Sequence, residues 1–152
     1  MEYPKLEAVG TNRVIDVTAL DRPAVFICYA ESTQHGATAI EEAVRARYSA
    51  AQVLVAHVID LHAVPGLFKS VARGILSSEY QKATAALPPG ESAEDYVVIL
   101  PDWDAKFVYA TGLEDVDRML GVAVFNADGS FAGLAYGADA AAKTLRLLEG
   151  AA

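Results

Sequence analysis

Ala24-Val25-Phe26-Ile27-Cys28-Tyr29-Ala30, followed by Glu31-Ser32-Thr33-Gln34-His35-Gly36, is the stretch that decides the fold: an unbroken apolar run, then a short polar loop. A run with no polar residue on either side reads as a strand buried on both faces, which is the habit of parallel sheets covered by helices. Beyond the loop, Thr38-Ala39-Ile40-Glu41 has the spacing of a capping box, and Ile40, Ala43, Val44 and Tyr48 fall at helical intervals. The pattern predicts a helix over residues 36–48. Strand, loop and helix in this order form the first part of a βαβ unit.

Working outward, the alternation continues. Residues 13–17 read as a short first strand, residues 53–60 as a second buried strand, and residues 96–100 as a third, closed by Pro101-Asp102. Pro65 suits the start of a long helix over residues 65–87, with Phe68, Val71, Ile75, Leu76, Tyr80 and Ala83 on one stripe and Pro88-Pro89-Gly90 as its stop. That helix is longer than the sheet needs, so its stripe is available to a partner or to a second copy. Residues 106–119 read as a short helix or an irregular stretch. Residues 121–125 and 131–136 are short apolar strands joined by Asn126-Ala127-Asp128-Gly129, where glycine can adopt the left-handed conformation that closes an antiparallel hairpin. Residues 139–148 read as a last helix, with Ala142, Leu145 and Leu148 inward and Lys143 and Arg146 outward. Residues 87–92 are the best candidate for a mobile connection. There is no repeat, linker or low-complexity segment, so the expectation is one domain over residues 1–152.

Composition narrows the function classes. A chain of 152 residues with 53% hydrophobic and 21% charged residues is long enough to bury a sizeable core, removing roughly 68–70% of its unfolded surface from water. A net charge of -8 speaks against nucleic acid or an anionic membrane surface as partner, because both are bound through clustered Lys and Arg. Cys28, the one cysteine, has no internal disulfide partner. No basic stretch followed by an apolar core marks residues 1–10, and no apolar run approaches the roughly 20 residues that cross a bilayer. A cytoplasmic protein is the expectation.

Parallel βαβ units followed by a hairpin and a terminal helix resemble the thioredoxin-like superfamily, and the resemblance spans residues 13–148. The phrase Val124-Phe125-Asn126-Ala127-Asp128-Gly129 is similar to that family's final hairpin. The resemblance implies an α/β fold with a central mixed sheet of about five strands, helices on both faces, and a C-terminal hairpin plus helix. It also implies where the reactive thiols of redox members lie: in the loop after the first buried strand, here Thr33-Gln34-His35-Gly36, which holds none. Redox relatives also carry a cis-proline before the penultimate strand, where this chain reads Arg118-Met119-Leu120-Gly121. Dithiol exchange needs a thiolate at that helix start, so the resemblance implies a redox-inactive member.

Candidate residues follow from the geometry of open α/β sheets, in which ligands bind outside the carboxyl ends of the parallel strands. That edge should gather Glu31, Ser32, Thr33, Gln34 and His35 after one strand, Asp60, Leu61 and His62 after the next, and Asp102, Trp103 and Asp104 after the third. The site residues taken from this set are Ser32, Thr33, Gln34, His35, Asp102 and Trp103, for a small polar ligand or a protein partner. Competing with that is a plain structural reading: Ser32 and Thr33 cap a helix, Asp102 and Asp104 make a turn, and Trp103 fills a gap. Cys28 reads as a buried small hydrophobe; the alternative is an atypical thiol oxidoreductase or peroxidase-like protein that uses it. His57 and His62 fall on opposite faces and make a poor chelate, so no metal and no cofactor are expected. Ser32 or Thr33 as a nucleophile activated by His35 lacks an orienting carboxylate, and neither the Gly-x-Ser-x-Gly elbow nor a phosphate-binding loop occurs.

Overall fold

In the computed structural model, which describes residues 2–151, the elements in chain order are β1 (Leu6–Glu7), β2 (Val14–Ile15), β3 (Ala24–Tyr29), α1 (Ala37–Arg45), β4 (Leu54–Asp60), α2 (Lys69–Ala85), α3 (Ala93–Tyr96), β5 (Ile99–Asp102), α4 (Lys106–Ala110), β6 (Gly121–Phe125), β7 (Phe131–Tyr136) and α5 (Ala140–Ala151). The main sheet has the order β5-β4-β3-β6-β7. Strand β3 runs parallel to β4, and β4 parallel to β5, while β6 is antiparallel to both β3 and β7. The mixed five-stranded sheet and the C-terminal hairpin plus helix are thus those expected from the sequence.

The apolar run at residues 24–28 is buried because it occupies the centre of this sheet, with a layer on each face. On one face Val25 and Ile27 pack with Ile40 and Val44 of α1 and Leu148 of α5. On the other, Phe26 and Cys28 pack with Phe107 and Val108 of α4, with Leu113 and Val116, and with Leu6 and Ile15 from the N-terminal segment. Phe26 meets Phe125 edge-on at 5.5 Å between ring centroids, and Phe125 is itself met edge-on by Tyr3 at 5.0 Å. Such arrangements add about 0.5–1.5 kcal/mol each to the burial itself.

Several elements differ from the sequence reading. The expected strand over residues 13–17 shrinks to β2, which pairs with β1 in a separate two-stranded ribbon. Helix α1 is shorter than residues 36–48, and a 3-10 turn, Glu31–Gly36, precedes it. Its N-cap is Gly36, not the Thr38 of the apparent capping box, and Glu41 reaches across to His57 instead. The third strand is displaced to Ile99–Asp102, because Ala93–Tyr96 forms a helical turn; Pro101 is tolerated in β5, an edge strand. In α5, Ala142 is exposed, and Ala140, Thr144 and Leu148 are the buried residues.

The largest difference concerns α2. None of its 17 residues is buried. It lies outside both cores, against the N-terminal segment and the turn after β5, and its stripe divides in two. Leu76, Tyr80 and Ala83 turn partly inward, and Phe68, Val71 and Ile75 stay exposed along with Leu67. One clamp holding it is Gly10, whose φ of +80° and missing Cβ leave room for the Tyr80 ring. A second glycine pins the opposite end of the sheet: Gly129 has φ +87°, and a Cβ there would overlap the Val17 carbonyl.

Candidate functional site

The carboxyl ends of β3, β4 and β5 form the mouth of the sheet. Ser32 and Thr33 stand at it, but their hydroxyls are occupied. Thr33 Oγ1 accepts from the Ala30 amide at 3.0 Å and donates to the Val116 carbonyl at 2.5 Å, while Ser32 Oγ donates to the Asp117 carbonyl at 2.9 Å. Together they bolt the 3-10 turn to the segment that precedes β6. Gln34 and His35 remain exposed at the rim.

Asp60 and Asp102 are directly opposed at the ends of β4 and β5, on the face that also carries Cys28. Both are buried, Asp102 to 1% exposure. Asp102 Oδ2 accepts the Val108 amide at 3.0 Å. Burial raises the Asp102 pKa to about 6, against the opposing pull of the Val108 and Phe107 amides; the neighbouring Asp104 and Asp60 charges raise it further. Asp60 Oδ1 takes two bonds from His62, the backbone N–H at 3.0 Å and ring Nδ1 at 2.6 Å. That hydrogen bond raises the His62 pKa, with the Asp60, Asp117 and Asp102 charges adding to it.

On the opposite face, the Tyr29 hydroxyl and His57 Nδ1 are 2.9 Å apart, and His57 Nε2 is 2.8 Å from Glu41 Oε2. With Glu41 ionised, Nε2 carries the proton and Nδ1 accepts from the phenol, so every donor has an acceptor. Burial first, and then Glu41, push the Tyr29 pKa upward, so the phenol keeps its proton. The chain ties α1 to β4. His57 and His62 do fall on opposite faces, and among the described residues no three metal-ligating side chains converge.

Trp103 and Asp102 belong to a different neighbourhood from Ser32 and Thr33. They line a cleft of about 610 Å³ bounded by residues 4–10, by Arg73, Leu76 and Ser77 of α2, and by residues 101–104. The turn that presents Trp103 contains Ala105 at φ 59°, a left-handed residue fully buried in the core. Trp103 is half-buried, with the Arg73 guanidinium 4.9 Å and the Lys69 ammonium 5.7 Å from its ring centroid. Among the described residues neither cation meets a carboxylate.

Cys28 lies below the mouth with no exposure at all. It sits between Val58 of β4 and Gly121 of β6, and burial, followed by the Asp102 and Asp60 charges, drives its pKa upward. A thiol so placed is neither ionised nor reachable.

The sequence reading placed Ser32, Thr33, Gln34, His35, Asp102 and Trp103 in one group; the structure divides them between the 3-10 turn and the cleft. It did not anticipate the Tyr29–His57–Glu41 chain or the Asp60–His62 bond. The second had a local signal, an Asp two residues before a His at a strand end. The first joins residues 16 and 28 positions apart and had none.

No protein-family model matches the chain, and no curated protein sequence matches it. Solved structures do. The thioredoxin-like superfamily protein SPOA0173 superposes with a TM-score of 0.66 at 10% identity, covering 99% of this chain and 96% of that one. A thiol-disulfide isomerase from Corynebacterium glutamicum gives a TM-score of 0.64 at 10% identity, covering 100% and 95%. A putative thiol:disulfide interchange protein DsbE from Chlorobium tepidum gives 0.62 at 12% identity, covering 99% and 94%. At such identities the likeness is one of fold, and the fold is thioredoxin-like. Unlike a dithiol enzyme, this chain has a single cysteine and so no Cys-x-x-Cys.

Proposed function

We propose that this protein is a redox-inactive thioredoxin-like domain that binds a small ligand in the Trp103 cleft at the mouth of its sheet. The observation that carries the reading is the pairing of an open cleft of about 610 Å³ with a sealed thiol. The cleft has the mixture that ligand sites show, apolar walls from Val9, Leu76 and Pro101 with a few polar groups, Arg73, Ser77 and Asp104. The alternative, thiol oxidoreductase or peroxidase-like chemistry through Cys28, needs an accessible thiolate, and the burial of Cys28 weighs against it. The test is a fragment screen by two-dimensional nuclear magnetic resonance, with charged and neutral compounds, run alongside peroxide consumption by the native protein and its Cys28→Ala variant. Fragment-induced shifts should cluster at Trp103, Val9 and Leu76, with background peroxide turnover in both proteins. Shifts confined to other surfaces, or turnover that disappears with Cys28, would sink the reading.

A second reading, a protein partner or a homodimer, is favoured by α2. Leu67 at 84%, Phe68 at 52%, Val71 at 58% and Ile75 at 59% exposure leave one apolar stripe facing water. Light scattering behind size exclusion checks the homodimer: a monomer at all concentrations removes it.

A further inference from the structure

Resting on the reading of the cleft as a ligand site, we infer that its ligand is a small organic anion, a carboxylate or phosphate head held by Arg73 and Lys69 on an apolar body. Lys69, Arg73 and Ser77 follow one another at intervals of four along α2, so their side chains form a single row on the helix surface. All three are donors. Among the described residues no hydrogen bond or ion pair takes up any of them, although the chain has 20 acidic residues against 12 basic ones. Several basic side chains elsewhere do find acceptors, as Lys5 does in Asp16, Arg22 in Asp21, Arg47 in Glu149 and Lys106 in Asp104, while Arg118, Lys143 and Arg146 also have none among the described residues; what sets Lys69 and Arg73 apart is that both lie over one indole ring beside a cleft.

No carboxylate near the row forms an ion pair with it. Asp104 accepts the Lys106 amide at 3.1 Å and faces the Lys106 ammonium. Asp102 is turned inward to the Val108 amide. Glu7 is exposed on the opposite wall. Trp103 holds both cations in place through its ring face, an attraction that leaves their N–H groups free for an acceptor. A planar guanidinium fork offers two parallel bonds to a carboxylate or phosphate, and the adjacent Leu76, Val9, Pro101 and indole edge suit an apolar body.

Trp103 is the chain's one tryptophan, so its fluorescence reports this site and no other. The experiment titrates the full-length protein with benzoate, phenyl phosphate, benzyl alcohol and benzylamine, following indole emission and, independently, calorimetric heat. Benzoate and phenyl phosphate should bind, and more weakly as salt is raised. Arg73→Met should weaken them by about 10- to 100-fold, the range for losing a charge-assisted hydrogen bond. Lys69→Met should act in the same direction, and it keeps the test decisive if Arg73→Met disturbs the seat of α2. Equal binding of benzyl alcohol or benzylamine, or benzoate affinity unchanged in both variants, would overturn the anion assignment while leaving a ligand site in place. Binding of none of the four probes would overturn the assignment too, and the fragment screen above then decides separately whether the cleft binds anything.

Discussion

Iodoacetamide should reach Cys28 only when the sheet comes apart, and the rate can be worked out from where the residue sits. Strand β3 is hydrogen-bonded on both sides, to β4 and β6, and Ala24, Val25, Phe26, Ile27 and Cys28 all show no exposure. Freeing the Cys28 side chain separates the central strand from its neighbours and from both covering layers, so the opening costs close to the whole unfolding free energy. For a domain of this size that is at least about 5 kcal/mol, which leaves roughly one molecule in 5,000 open at any moment. Labelling under native conditions should therefore run about 5,000-fold slower than in the unfolded chain at the same pH, or slower still. Mass spectrometry of the alkylated protein, in buffer and in guanidinium, measures the ratio directly. A native rate within about tenfold of the denatured one would mean a local opening that costs only about 1.4 kcal/mol, and the sealed-thiol argument would be wrong.

Other outcomes follow from particular contacts. Gly129→Ala should lower stability by about 2–4 kcal/mol, since the residue combines a left-handed φ with a close approach to the Val17 carbonyl; a urea midpoint within error of the native one would contradict this. His57→Ala removes the centre of the Tyr29–His57–Glu41 chain and leaves both ends unpaired, for a loss of about 2–3 kcal/mol, whereas Tyr29→Phe leaves only one acceptor free and should cost about 1 kcal/mol. Equal losses in the two variants would mean the chain is not cooperative. Asp102 holds its proton in the native state up to about pH 6, while in the unfolded chain it releases it near 3.8. Between those values the native state binds more protons, so stability falls as pH rises, by up to about 3 kcal/mol. Asp102→Asn should flatten the decline across that window in chemical denaturation series; parallel curves would show that Asp102 is not its source.

What could be read along the chain was the set of elements that interrupt or repeat in a regular way. The apolar run at residues 24–29, the hairpin closed by Gly129 and the terminal helix were legible because burial on both faces, a left-handed turn and a 3.6-residue period each leave a local mark. The two-residue strands β1 and β2 are too short to show any periodicity. The shift of β5 onto Ile99–Asp102 was hidden because the helical turn Ala93–Tyr96 takes up Tyr96, where the expected strand began, and the apolar Val97 and Val98 that suggested extension lie between that turn and the strand. In α2 the helical period was legible, but not the division of its stripe, with Leu76, Tyr80 and Ala83 partly inward and Phe68, Val71 and Ile75 exposed, because which residues of a helix meet a neighbour depends on where the chain places it.

From residue order alone came the α/β architecture, the lone Cys28 in a buried strand, and the absence of sulfur from the loop at residues 31–36, all properties of a residue and its near neighbours. Only tertiary structure decided which groups act together. It tied Ser32 and Thr33 to the carbonyls of residues 116–117, set Asp60 against Asp102, threaded Tyr29 through His57 to Glu41, and put Arg73 over Trp103. Those pairings join residues from 28 to 85 positions apart, apart from His57 with Glu41 at 16, and hydrogen bonds and charge contacts act over a few ångströms of space whatever the separation along the chain.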